Sequence, residues 1–123
     1  MKRISVELVP RNEQVLRESL SLVKSLAEQG AQVDVINIPD LLRLDIRSYE
    51  GASIAQEYFP STMPHIRAMD IDLSRPLPMK AYLREHHIRE VLVIEGDLPQ
   101  DMNHIVYPTT TTDVIRKFHA EMP

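Results

Sequence analysis

The spacing of apolar and polar residues along the chain changes repeatedly between the two periods typical of strands and helices. Four stretches show the alternating or continuous apolar pattern of strands. They are residues 3–10, 31–39, 64–70 and 89–97. In the first stretch Ile4, Val6 and Leu8 share one face, so Glu7 lies on the other. In the last stretch four apolar residues are contiguous, which predicts a strand covered on both faces.

Longer segments with helical spacing follow the strands. Asn12 is placed to cap a first helix, and Gly30 to end it in a left-handed conformation. A second helix is predicted over 48–59, a third from about Pro78, and a fourth over 111–122. The chain therefore repeats a strand followed by a helix four times.

Helix-length connections between strands predict a parallel sheet with right-handed crossovers. Two architectures fit this order, an open doubly wound sheet and part of a (β/α)₈ barrel. A complete barrel needs about 250 residues. The chain has 123 residues and ends where a fifth strand would begin.

Composition narrows the classes of function. Hydrophobic residues make up 43% and charged residues 26%, a balance typical of globular proteins. The net charge of −4 argues against nucleic-acid binding. No apolar run approaches the roughly 20 residues needed to cross a bilayer, and no cysteine is present for disulfides or thiolate metal sites. Because the first strand leaves no room for a signal peptide, we expect a cytoplasmic protein without a membrane or nucleic-acid partner.

Polar side chains gather where the predicted strands end. The loops after the strands are long and polar, and in parallel α/β folds the active site lies at these ends. Glu7 requires explanation because an unpaired buried carboxylate costs at least several kcal/mol. Two hypotheses account for it: a buried ion pair, for example with Arg67, or a general acid in a water-poor site.

His65 and Arg67 are two residues apart in one predicted strand and therefore share a face. They could contact an anionic or hydrogen-bonding ligand, or act as partners of Glu7 or Asp97. By pattern alone, Asp97 after Gly96 is more typical of a turn or a helix cap than of a site.

Three other motifs are weaker candidates. The two carboxylates within 70–72 could bind Mg²⁺, although such a pair is more typical of a solvated loop. His86 and His87 are adjacent on a helix and point in different directions, which argues against a shared metal. The four threonines at 109–112 are more typical of a helix N-cap than of a phosphate site, because glycines are lacking there.

Four segments together resemble the methylenetetrahydrofolate reductase family. "SVELVP" is similar to that family's first strand, Phe-Glu-Phe-Phe-Pro, and "PHIRAMD" to its third strand. "VLVIEGDLPQ" resembles the fourth strand, which ends in Arg-Gly-Asp-x-Pro, and "VYPTTTTDVIRKF" the tyrosine-containing segment and helix after it. The matches occur in order and cover most of the chain.

The resemblance implies a fold and an activity. The chain would be a single partial domain, residues 1–123, whose four βα units form half of a (β/α)₈ TIM-type barrel with parallel strands. Members of the family bind FAD at the carboxyl ends of the strands. They reduce 5,10-methylenetetrahydrofolate to 5-methyltetrahydrofolate with NAD(P)H, a step of one-carbon metabolism and methionine biosynthesis.

The resemblance also implies roles for individual residues. Glu7 matches the acid that helps to open the folate ring, and Asp97 the aspartate that tunes the flavin and contacts folate. His65 matches the flavin-binding histidine, and Tyr107 the tyrosine after the fourth strand. Gly96 would let the backbone approach the flavin ring.

The chain departs from the family pattern at several positions. Glu95 stands where the family has arginine, and Arg67 is a possible substitute. Asn37 is the best counterpart of a family threonine, with Pro39 possible in another register. Strands five to eight are absent, so we expect a homo-oligomer or a missing second half. The alternatives are a non-catalytic half-barrel that assembles without flavin and, less favoured, a folate-binding methyltransferase barrel.

Overall fold

Four parallel strands alternate with four helices in a computed structural model that describes residues 2–99 and 101–123. The strands are β1 (Ser5–Glu7), β2 (Val35–Ile38), β3 (Thr62–Arg67) and β4 (Leu92–Ile94). The helices are α1 (Glu13–Glu28), α2 (Ser48–Ala55), α3 (Lys80–Glu85) and α4 (Thr111–Glu121). This arrangement confirms the predicted α/β class with parallel strands.

The strands lie in sequence order, β1-β2-β3-β4, and every neighbouring pair is parallel. Glu7 lies beside Asn37, and His65 beside Leu92. Because side chains alternate along a strand, this register places these four residues on one face of the sheet.

The opposite face of the sheet forms the core with the helices. Ile36, Ile38 and Ile66 are buried there against Leu16 of α1 and other helical residues. Gly51 in α2 lies so close to this face that an added Cβ would be 2.8 Å from Ile38 Cγ2. Only glycine therefore lets α2 pack at this distance.

The helices form one layer, because each contacts the next along the chain. Side chains join consecutive helices or the turns beside them: Arg17 with Glu57, Ser53 with Tyr82, and Lys80 with Glu121. No helix in the described ranges is both long and apolar enough to cross a membrane.

Both predicted ends of α1 are confirmed. Asn12 Oδ1 accepts a hydrogen bond from Val15 N–H at 2.8 Å, which caps the helix. Gly30 has φ of 108°. Its N–H bonds to Ala27 O, and Ala31 N–H bonds to Leu26 O, which is the Schellman arrangement.

All four strands are shorter than predicted: β1 covers Ser5–Glu7 of the predicted 3–10, and β2 covers Val35–Ile38 of 31–39. β3 covers Thr62–Arg67 rather than 64–70, because the backbone then turns into a short 3-10 helix at Ala68–Asp70. The ion pair between Arg67 and Asp70 closes that turn. β4 covers three residues of the predicted nine, and within the described residues it pairs with β3 alone.

The predicted covering of β4 on both faces is wrong. Leu92 remains 40% exposed. Its side chain lies on the sheet face opposite the helix layer, and no second layer covers that face within the described residues.

Candidate functional site

A pocket of about 660 Å³ opens beyond the carboxyl ends of β2, β3 and β4. Its walls come from the loop after β2 and the loop after β4. Its charged lining residues are Arg43, Arg47, Arg67, Asp97, Asp101 and His104. The pocket lies where parallel α/β folds place their ligands.

Arg67 connects the end of β3 to the end of β4. Its side chain is only 7% exposed. Nε donates to Asp70 Oδ2 at 2.9 Å, and Nη2 donates to the backbone carbonyl of Asp97 at 2.6 Å. A buried guanidinium that is paired and hydrogen-bonded is held in one orientation.

Gly96 lies directly against this guanidinium. Its φ is 97°, a conformation that favours glycine. A Cβ at this position would lie 2.9 Å from Arg67 Cζ. Both backbone conformation and space therefore favour glycine where β4 ends.

Asp70 extends the network to the loop after β4. Its Oδ1 lies 3.0 Å from His104 Nε2, while Oδ2 binds Arg67. The backbone N–H of Tyr107 also donates to Met69 O at 2.8 Å. Sequence reasoning missed His104, whose only signal was a histidine in the polar loop after the fourth strand.

His65 has a buried ring nitrogen with no hydrogen-bond partner. Within the described residues, nothing bonds Nε2, and Nδ1 lies 4.0 Å from Glu7 Oε1. Burial lowers the pKa of His65, and the charges of Glu7 and Asp40 only partly oppose this. The ring is therefore neutral near pH 7, and Nε2 can bond a ligand.

The end of β2 is held by a second ion pair. Asp40 Oδ1 accepts from Ser48 N–H at 3.0 Å and lies 3.5 Å from Arg47 Nη1. Burial raises the pKa of Asp40, while Ser48 N–H and the Arg47 charge act to lower it. Ser48 Oγ in turn donates to His65 O at 2.6 Å, which ties α2 to β3.

Glu7 is not the buried carboxylate that the sequence predicted. Its side chain is 57% exposed, and Arg67 pairs with Asp70 instead of Glu7. β1 has no strand on its outer side within the described residues, and its face is uncovered, so the carboxylate remains hydrated. Next to it, Asn37 Nδ2 donates to Ser5 Oγ.

Five of the seven predicted site residues fall into two groups, and Gly96 and Tyr107 belong to neither. Arg67 and Asp97 line the pocket, with the Asp97 side chain exposed and only its carbonyl bonded. Glu7, Asn37 and His65 lie on the uncovered sheet face. Gly96 adjoins the pocket through Arg67. Tyr107 is half-buried and is tied to the turn after β3 by its backbone, but it does not line the pocket.

The weaker motifs have structural roles. Thr110 caps α4 by accepting from Asp113 N–H, as predicted for the threonine run. Of the two carboxylates at 70–72, Asp70 pairs with Arg67 and His104, and Asp72 accepts from Ser74. Across 2–99 and 101–123, no group of three or more acidic or histidine side chains is arranged to hold a metal ion.

Comparison with known proteins adds no assignment. No family model matches this chain, and no curated protein matches it either.

Proposed function

We propose that the chain is a methylenetetrahydrofolate reductase-like flavoprotein half-barrel that uses FAD and NAD(P)H to reduce 5,10-methylenetetrahydrofolate. One observation carries the proposal. His65, whose buried Nε2 has no partner, lies two residues before Arg67 in β3, and Arg67 contacts Gly96 and Asp97 at the end of the adjacent parallel strand β4. Each of these residues belongs to a segment that resembles the reductase family. Arg67 differs from the others in that it is proposed to substitute for a family arginine at another position.

Strand order supports the half-barrel. An open doubly wound sheet reverses its strand order and carries helices on both faces. Here the order runs from β1 to β4 without reversal, and one layer of successive helices covers one face. In a barrel, the covered face points outward and the face with Glu7, Asn37 and His65 points into the interior.

The residues present fit an isoalloxazine ring. The orphaned Nε2 of His65 can hydrogen-bond a ring heteroatom. At Gly96 the Arg67 guanidinium occupies the side-chain position, so a ring there would meet this cation rather than open backbone. When bound, the flavin would take a hydride from NAD(P)H and pass it to the folate. The protein supplies the binding groups and the local charge.

Arg67 is proposed to supply the positive charge that the family arginine would supply. Position 95 is glutamate in this chain, but the Arg67 guanidinium lies against the neighbouring Gly96 and bonds the next carbonyl, that of Asp97. A cationic group is thus placed at the end of β4 from the adjacent strand. Asp70 partly neutralises this charge, and what remains would favour electron-rich, negatively charged forms of a bound ring.

Glu7 is the proposed proton donor to the folate. It lies 4.0 Å from His65 across the uncovered face, so both can reach one ligand. Its 57% exposure means that the water-poor environment of a general acid must come from whatever covers this face. Asp97 would contact the folate with its exposed carboxylate.

Titration of the purified chain with FAD tests the proposal. We expect FAD to acquire a protein-perturbed visible spectrum, and His65→Ala to weaken binding about 10-fold, or 1.4 kcal/mol, through loss of one hydrogen bond. His86→Ala is the control, because His86 stacks on Tyr82 in the helix layer. Circular dichroism checks that both variants fold. Equal FAD affinity in the two variants would exclude the proposed role of His65.

A second candidate is a non-catalytic half-barrel module. The exposure of Glu7 favours it, since a catalytic acid of this type works in a water-poor site. A folded protein that takes up no FAD would support this alternative and overturn the flavoprotein proposal.

A further inference from the structure

Exposed apolar side chains are concentrated in the first and the last βα units, which form the two flanks of the sheet. Ten large hydrophobic residues of the described chain are exposed, and nine belong to the first or the last βα unit. The first unit contributes Ile4, Leu22 and Leu26. The last contributes Leu92, Leu98, Met102, Ile105, Val106 and Ile115. The two middle units contribute only Leu73, so this exposure is a property of the flanks.

On α1 the exposed apolar residues face away from the rest of the helix layer. Arg17 bonds Glu57, and Lys24 bonds Tyr58 O, so these two residues mark the side of α1 that faces α2. Leu26 is nine residues from Arg17, about two and a half turns, and therefore lies on the opposite side. Leu22 lies one turn before Leu26 on the same side and is 64% exposed.

On α4 the free side is also apolar. Lys117 bonds Leu73 O and Glu121, on the side that faces α3 and the loop before it. Ile115 is two residues away, more than half a turn, and lies on the other side with 47% exposure. Leu22 and Ile115 both lie near the middle of their helices.

The strands beneath these two helices also have one free edge each. Within the described residues, β1 pairs only with β2, and β4 pairs only with β3. Both strands are parallel to the rest of the sheet. The free edge of β1 in one copy can therefore pair with the free edge of β4 in a second copy, in a parallel ladder. Unpaired strand edges invite association.

Charge differs between the flanks in a complementary way. On α1, Glu18 is exposed beside the apolar side and bonds Gln14. On α4, Arg116 is 78% exposed, and its acidic neighbour Asp113 is 4.0 Å away. Glu18 on one flank and Arg116 on the other thus carry charges of opposite sign.

From these features we infer that two copies of this chain associate around a two-fold axis parallel to the strands. β1 and α1 of one copy pack beside β4 and α4 of its partner, and the same seam forms a second time on the other side. Two-fold symmetry requires this repetition. Both free edges of both copies are then paired, in a closed ring of eight parallel strands.

The association would complete the candidate site. The uncovered faces of the two copies become one interior, so Glu7 and His65 of each copy are shielded from solvent. This inference rests on the half-barrel part of the proposed function and is independent of the flavin. A mass measurement without FAD therefore distinguishes its failure from failure of the proposed activity.

Light scattering after size-exclusion chromatography tests the inference. We expect the wild-type chain to be a dimer. Leu22→Lys and Ile115→Glu each place one charge against an apolar residue in both seams, and each should raise the dimer dissociation constant roughly 100-fold or more. Leu73→Lys is the matched control, because Leu73 is 43% exposed but lies outside both flanks.

A mixture of the two variants gives the sharpest result. In a mixed dimer, one seam brings the two substituted positions together, a cation against an anion, and the other seam has the wild-type residues at both positions. We therefore expect mixing L22K with I115E to restore a dimer, which misfolded variants could not do. A wild-type monomer at all concentrations, undisturbed dimers in both variants, or no restoration on mixing would each overturn the inference.

Discussion

Arg67 shows how one residue links two strand ends at the site. Its guanidinium reaches Asp70 on its own chain segment and the Asp97 carbonyl after β4. Gly96 packs against the guanidinium with a positive φ. A change at Gly96 therefore acts on the backbone and on Arg67 together.

Replacement of Gly96 by alanine should destabilise the fold more than replacement of Gly30. Both glycines have positive φ, so both variants lose roughly 1 kcal/mol to backbone strain. An added Cβ at Gly30 meets nothing within 4 Å, whereas at Gly96 it meets the pinned Arg67 guanidinium at 2.9 Å. We expect an additional loss of about 1–3 kcal/mol for G96A.

Urea denaturation of the wild type, G30A and G96A measures this difference. Equal loss of unfolding free energy in the two variants would show that Arg67 moves aside without cost.

Among the helices, the junction of α3 and α4 depends on one carboxylate. Glu121 accepts hydrogen bonds from Lys117 at 2.9 Å, Leu77 N–H at 3.1 Å and Lys80 at 3.0 Å. These bonds, with that from Lys117 the largest, lower the pKa of Glu121 from 4.5 to about 2. The short α3 has no side-chain N-cap, and Glu121 supplies polar contacts to Lys80 in its first turn and to Leu77 before it.

The stability that Glu121 provides should depend on pH in a defined direction. A carboxyl whose pKa is lowered by folding stabilises the protein fully above about pH 4.5 and loses that contribution as pH falls towards 2. Glu121→Gln should therefore be less stable than wild type at pH 7, and the difference should shrink between pH 4.5 and 2.

Chemical denaturation across this pH range provides the measurement. Glu85→Gln, a change at an exposed acid of α3 without a hydrogen bond in the described structure, is the control. A constant difference between wild type and E121Q at all pH values would contradict the prediction.

The whole molecule has a covered face and an uncovered one. The covered face holds a continuous core from α1 to α4. The uncovered face carries Glu7, and the apolar flanks end in free strand edges. If two copies close around these edges as inferred, folding and association are coupled.

Thermal stability should then depend on protein concentration. By mass action, each tenfold rise in concentration stabilises a dimer by about 1.4 kcal/mol per mole of dimer, so the unfolding midpoint rises. In L22K the midpoint should be lower and nearly constant at concentrations where that variant is monomeric. Scanning calorimetry over a 100-fold range of protein concentration distinguishes wild type from L22K, because that range changes the stability of a dimer by about 3 kcal/mol. A wild-type midpoint independent of concentration would contradict coupled association.

The local features of the sequence predicted much of the fold. Apolar periodicity located all eight elements, and short-range chemistry placed the cap at Asn12 and the helix end at Gly30. Strand lengths were overestimated, because the extent of a ladder depends on the neighbouring strand. The turn after β3 was not predicted, because it depends on an ion pair between Arg67 and Asp70, and the sequence offers several other acidic residues nearby.

The candidate site was predicted only in part. The position at the carboxyl ends of the strands follows from parallel order alone, and the structure places Arg67 and Asp97 together there. The network through Asp70 to His104 was not predicted, because those residues are 34 positions apart and nothing local pairs them.

By itself, the sequence determined the alternation of strands and helices, the parallel order that follows from it and the residue types available at the strand ends. These depend on periodicity and on contacts a few residues apart. The tertiary structure alone decided which carboxylate Arg67 binds, that close packing favours glycine at 51 and 96, and that Glu7 is exposed rather than buried. Pairing and burial depend on distances between segments remote in sequence, and those distances exist only once the chain is folded.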